Sequence, residues 1–259
     1  MIFNVELILP AIILGSCIGS FLNVVIDRLS SGKSIVTPQS HCDKCKRFLT
    51  PLELIPVLSY IYLKGRCKTC HTKLSIQYPL SEIVTGLIFG YLMWFVINTG
   101  LSFVYWIYLC IIFSCLIVVI GTDLKKRIIL DEIVFFGTVV SFLYILFFDP
   151  ASLLSHIFSA FVFLGFFLFL FLITKGKGMG FGDVKFSFFM GLTLGYPQII
   201  VGFYLAFLTG ALVSLILVIG RVKSFKSTVP FGPYLALAMG ISLLFGDVLW
   251  QTALRVLNL

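Results

Sequence analysis

The sequence predicts an all-α polytopic membrane protein, and three observations carry that reading. Apolar residues make up 59% of the 259, charged residues 12%, and the mean hydropathy is +1.10; soluble domains run at roughly 45–50% apolar and about 25% charged. Eight apolar runs follow one another, most near the ~20 residues that cross ~30 Å of hydrocarbon. The Lys and Arg residues then fall on one side of the layout those runs define. The same composition excludes a disordered chain, a coiled coil and a secreted disulfide scaffold. A formal charge of +8 would point a soluble protein toward nucleic acid. Here it reads as basic cytoplasmic loops, and no nucleic-acid partner is expected.

The runs are 5–26, 79–97, 101–121, 133–148, 153–174, 184–195, 198–220 and 231–250. The first is too long for a signal-peptide core and has no basic segment before it, so it reads as an uncleaved span. The run 184–195 is only twelve residues long: a short span, or a re-entrant piece shielded by other helices. Let 27–78 be cytoplasmic and every run cross once. The cytoplasmic segments 27–78, 122–132, 175–185 and 221–230 then hold 18 of the 19 Lys and Arg. Omitting the short run would invert everything after it and divide the basic residues between faces. The expectation is therefore about eight transmembrane helices, with both termini outside. No internal repeat is visible. Gly15 and Gly19, and Gly86 and Gly90, have the small-xxx-small spacing that lets helices approach closely.

The long polar segment 27–78 contains Cys42-Asp-Lys-Cys45 and, after 21 residues, Cys67-Lys-Thr-Cys70. Two CxxC pairs at this separation predict a tetrahedral zinc site. A redox dithiol is the alternative. A cytoplasmic location disfavours disulfides, and zinc would order a loop too short to build a core. Four thiolates leave no open coordination position, so the site is expected to be structural. His41 and His71 flank the cysteines as substitute ligands or solvated neighbours. Cys17, Cys110 and Cys115 lie in apolar runs and are expected to be buried small hydrophobes.

Two carboxylates stand out. Asp123 follows the run ending at Gly121 and Thr122; Asp183 precedes Val184 inside Gly178-Met-Gly-Phe-Gly-Asp183. The topology puts both at cytoplasmic helix ends, at similar depth. Ionisable groups at a membrane boundary are costly unless they meet water, a partner or a function. A facing pair suits aspartyl-protease chemistry, because like charges at short range leave one group ionised and one protonated. Gly178, Gly180 and Gly182 would let a substrate strand approach the backbone. Asp131, Glu132, Asp149 and Asp247 read instead as caps or solvated boundary residues.

Together these features resemble the type IV prepilin peptidases. Gly19-Ser-Phe-Leu-Asn-Val-Val-Ile26 with Arg28-Leu29 is similar to that family's first-span signature, and the paired CxxC to its zinc loop. Ile55-Pro-Val-Leu-Ser-Tyr60, Gly65-Arg-Cys67, Tyr78-Pro-Leu-Ser-Glu82 and Phe231-Gly-Pro-Tyr234 also match. Asp123 falls at the family's first catalytic Asp, Gly180-Phe-Gly-Asp183 at its GxGD motif, and Lys185 follows as it does there. Three positions depart from the family: Leu130 and Asp43 stand where it commonly has Pro, and Gln77 where it often has Arg.

The resemblance implies a layout of first helix (1–26), zinc loop (27–78, the region associated with methyl transfer) and membrane peptidase domain (79–259). It implies catalytic Asp123 and Asp183, supported by Gly180, Gly182 and Lys185, with Cys42, Cys45, Cys67 and Cys70 on zinc. It implies type IV prepilin and pseudopilin precursors as substrates, cut behind a short basic leader at the cytoplasmic face of a bacterial inner membrane, the precursor helix remaining in the lipid bilayer. It also implies methylation of the new amine from S-adenosylmethionine. No Rossmann-type loop is visible for that cofactor, and its residues are unassigned; Glu53 and Glu82 are the acids singled out, for methyl transfer or for docking the leader. Two other classes predict differently. A proton-coupled transporter calls for carboxylates near mid-membrane, and a zinc-ordered scaffold without catalysis would tolerate Asn at 123 and 183.

Overall fold

The structure, a computed structural model, describes residues 3–37, 39–42, 44–176, 178–220 and 230–256, with side chains from residue 6 onward. Asp43, Lys177, Arg221, Lys223 and Lys226 lie outside the described residues. Every apolar run becomes a helix: α1 (Phe3–Leu29), then, beyond a 3₁₀ turn (Pro51–Leu54) and a short α2 (Leu58–Tyr62), α3 (Gln77–Thr99), α4 (Phe103–Lys126), α5 (Asp131–Phe148), α6 (Leu153–Ile173), α7 (Phe181–Leu194), α8 (Gln198–Ile219) and α9 (Gly232–Val256). Among the described residues there is no β-strand, only two isolated bridges in the loop between α1 and α3. In hydrocarbon a backbone must satisfy its own hydrogen bonds, which a helix does within one segment.

Seven of these helices are long and apolar enough to cross a membrane. The eighth expected span, α7, has 14 residues, about 21 Å at 1.5 Å per residue against ~30 Å of hydrocarbon. It is wrapped by other helices: from Asp183 to Leu194 only Lys185 and Phe188 are not buried. Several helices outrun their apolar stretches, because hydrogen bonding continues where hydropathy stops. Thus α4 runs on through Asp123 to Lys126, where two lysines suit the negative end of its dipole.

The chain divides into two compact units, Met1–Val118 and Val119–Leu259, the division falling within α4. In the first, α1 and α3 pack backbone to backbone. A Cβ on Gly15 would stand 2.8 Å from Phe89 Cβ and from the Thr85 carbonyl, and one on Gly86 2.9 Å from the Ile12 carbonyl. Between helices in lipid, close packing supplies the attraction that water supplies elsewhere. Cys110 and Cys115 are buried as expected, but Cys17 is exposed, on the side of α1 turned from α3.

In the second unit α7 is the central piece. A Cβ on its Gly191 would lie 2.7 Å from Ala160 Cα of α6, and Phe189 fills the space over Gly137 of α5. Buried Ser141 of α5 and Thr193 of α7 share a hydrogen bond of 2.8 Å, worth ~0.6 kcal/mol by the average for such interhelical bonds. His156 of α6 holds the Leu192 carbonyl through Nδ1 at 2.7 Å.

Candidate functional site

The loop between α1 and α3 is built from two knuckles in matching register. In one, the Cys42 amide donates to the Arg47 carbonyl (2.9 Å) and Lys46 N–H to Cys42 O (2.8 Å); in the other, Cys67 N–H donates to Thr72 O (2.9 Å) and His71 N–H to Cys67 O (3.0 Å). Lys46 and His71 occupy the same place in each, both with φ above +50°. Bridges His41–Phe48 and Arg66–Lys73 close the two turns. This local duplication was not visible in the residue identities.

The knuckles bring the four sulfurs within 4.8 Å of one another, with Cys42–Cys70 at 3.7 Å and Cys45–Cys67 at 4.0 Å. A tetrahedron with metal–sulfur bonds of ~2.3 Å has edges of ~3.8 Å, so the set fits zinc. Neither histidine belongs to the cluster. Arg47 supplies a further fit: its Nε is buried with no hydrogen-bond partner, and its guanidinium interacts with Cys67. A cation there offsets the charge of metal-bound thiolates.

Glu53 and Glu82 are both committed within the chain. Glu53 accepts Arg47 Nη2 at 2.6 Å and, through its other oxygen, Thr50 N–H and Oγ1 at 2.9 Å each, so it caps the 3₁₀ turn. The Thr50 amide first, and then Arg47, hold its carboxyl down at about 2, against an ordinary 4.5. A depressed carboxyl stabilises the fold above its ordinary pKa and loses that contribution as pH falls toward the folded value; here the window runs from 4.5 down to about 2. Glu53→Gln is expected to cost the loop about 1–3 kcal/mol at neutral pH, seen as faster zinc release to a chelator. Glu82 is buried and accepts the Val57 amide at 2.7 Å.

In the second unit, Asp123 and Asp183 are 6% and 8% exposed, and their carboxyl groups are close enough to interact electrostatically. Asp123 lies within the last turns of α4 rather than just after it. Its Oδ2 accepts the Gly232 amide at the start of α9 at 2.9 Å. A Cβ at 232 would sit 2.7 Å from that oxygen, so only glycine lets the backbone come this near. Gly232→Ala is expected to lower any activity of the pair about tenfold or more while leaving zinc content unchanged. Arg127 adds a positive charge near Asp123.

Asp183 is the third residue of α7, its Oδ2 accepting the Gly180 amide at 3.1 Å, where the positive end of the helix dipole favours a carboxylate. Gly182 leaves room for Ile129, which a Cβ would meet at 3.0 Å. Lys185 reaches Asp131 at 2.6 Å and lies over the Phe181 ring, joining α5 to the first turn of α7. Asp131, read from sequence as a solvated boundary residue, is thus the partner of Lys185. Both carboxylates of the pair sit at helix ends, and a mid-membrane relay finds no support. Phe231 and Tyr234 line, with Phe207 and Gly210, a cavity of about 240 Å³ beside Gly232.

The described residues thus define a helical membrane protein with two buried, interacting carboxyl groups on α4 and α7 and a four-cysteine cluster able to hold a metal. The family model described as the bacterial peptidase A24 N-terminal domain matches residues 13–96, and that of the type IV leader peptidase family residues 110–215. The chain is 33% identical to the prepilin leader peptidase/N-methyltransferase of Bacillus subtilis, over 91% of this chain and 93% of that one. It is 27% identical to the protein of that name from Pseudomonas aeruginosa, over 96% and 93%. Over a shorter stretch, 30% of this chain and 23% of the relative, it is 49% identical to the one from Myxococcus xanthus. No solved structure matches it significantly. The chain belongs to the prepilin leader peptidase/N-methyltransferase family.

Proposed function

We propose that the protein removes the leader from type IV prepilins and pseudopilins, with Asp123 and Asp183 as its catalytic carboxylates at the cytoplasmic face of a bacterial inner membrane. The observation that carries this is the pair itself: two buried, electrostatically linked carboxyl groups from helices 60 residues apart in sequence. Close carboxylates cannot both ionise freely, so the resting pair holds one proton. The ionised member takes a proton from water as the water oxygen attacks the scissile carbonyl; the protonated member polarises the carbonyl oxygen. Collapse of the tetrahedral adduct breaks the C–N bond, and the proton taken from water goes to the departing amine. Gly180 holds the Asp183 carboxylate, Gly182 seats the turn, and Lys185 fixes α7 to α5.

The charge layout supports a cytoplasmic zinc loop, both termini outside and a crossing α7. Cys42, Cys45, Cys67 and Cys70 would hold a structural zinc that orders 27–78. The names of the relatives support a second step, transfer of the methyl group of S-adenosylmethionine to the new amine. Glu53 and Glu82 hold the loop together, and the residues of methyl transfer are unassigned. The test is incubation of the full-length protein in vesicles with a pilin-type precursor. Loss of the leader mass from the precursor is expected; an intact precursor in the presence of folded protein contradicts the reading.

A further inference from the structure

The loop segment 51–63 lies between the two knuckles in sequence, yet it does not look like a solvated loop. Leu52, Leu58, Ile61 and Tyr62 are 76%, 65%, 66% and 86% exposed, with Leu54 and Ile55 near two-fifths exposed. These side chains form the apolar face of the 3₁₀ turn and α2. The one acid in the segment, Glu53, has a side chain only 7% exposed and is neutralised by Arg47. Tyr60, in contrast, turns inward, its hydroxyl donating to the Leu74 carbonyl. The outward face is therefore selectively apolar.

Two further observations say what covers it. The Val57 amide is held by Glu82, five residues after the start of α3. At 1.5 Å per residue that point is about 7–8 Å along a membrane-spanning helix, so the chain turns back beside the span instead of leaving it. The same loop carries exposed Lys44, Lys46, Lys64, Arg66, Lys68 and Lys73, and no acid is exposed among the described residues of 39–76. An apolar surface at helix-entry depth, in a loop whose exposed charges are all basic, matches the hydrocarbon boundary of a bilayer with anionic headgroups. Tyr62 and Phe48 supply aromatic rings suited to that level.

We infer that 51–63 is an interfacial segment seated in the cytoplasmic leaflet, so that lipid, rather than water or a second protein, covers Leu52, Leu58, Ile61 and Tyr62. The zinc knuckles are then carried on the membrane surface by this segment and by Glu82, which ties them to the start of α3.

The unaltered full-length protein tests this, in vesicles of phosphatidylethanolamine and phosphatidylglycerol doped with a phospholipid bearing a diazirine near the end of one acyl chain. After irradiation, the peptides are compared by mass spectrometry. Peptide 48–64 is expected to carry at least about tenfold more lipid adduct than peptide 69–73 from the second knuckle, with the adducts on Leu58, Ile61 or Tyr62. Equal labelling of the two peptides, or none on 48–64, overturns the inference, whatever else covers the face.

Discussion

Asp183→Asn is expected to abolish precursor cleavage, by at least about 10²-fold and up to about 10⁴-fold, the range for losing a positioned acid–base group. At 1.36 kcal/mol per factor of ten that is about 2.7–5.4 kcal/mol of lost transition-state stabilisation. Asn keeps the volume of Asp and can still accept the Gly180 amide at 3.1 Å, so the first turn of α7 should hold. What disappears is the ionisable group. Protein level, helicity and zinc content are expected to match the unaltered protein, while the leader stays attached. Asp123→Asn should behave alike, because its carbonyl oxygen can still take the Gly232 amide. Normal cleavage by either variant would return the scaffold reading to consideration.

Replacing Cys67 and Cys70 together by Ser is expected to produce an effect of different kind. Each knuckle supplies half of the sulfur cluster, and zinc bound to such sites carries ~10–16 kcal/mol of apparent free energy at neutral pH. A loop of this length has no core to replace that. Metal analysis is expected to fall from one zinc per chain to none, and limited proteolysis to cut within 40–74. Helices α5–α9, whose packing centres on α7, should stay resistant. Retention of zinc by this variant would contradict the four-thiolate assignment.

How much of this was legible in the residues follows from how each feature is encoded. The helices were, because a lipid-spanning segment must be continuously apolar and hydropathy reads that directly. Their ends were not: nothing in a hydropathy run says that α4 carries its hydrogen bonds past Asp123 to Lys126. The four thiols were legible from spacing, since each CxxC closes on a single turn. The repeated knuckle was not, because Lys46 and His71 share a backbone conformation and no chemistry. Both carboxylates were picked out by their boundary positions, and Asp183 also by its glycine context. The Gly232 amide on Asp123 was hidden by 109 residues of separation. Glu53 and Glu82 were noticed as acids, but their bonds to Arg47, Thr50 and the Val57 amide were not legible, because a buried acceptor and a substrate-docking acid look the same in one dimension.

The central claim is that Asp123 and Asp183 act as one unit, and a double-substitution cycle tests it most directly. Cleavage rates would be compared for the unaltered protein, Asp123→Asn, Asp183→Asn and the double variant, each in vesicles with zinc content and helicity checked. Groups that act as a unit are strongly non-additive, so the double variant is predicted to be no slower than either single one within about threefold. Multiplying losses, with the double variant slower by the product of the two single effects, would mean that the carboxylates work independently and would contradict the paired mechanism.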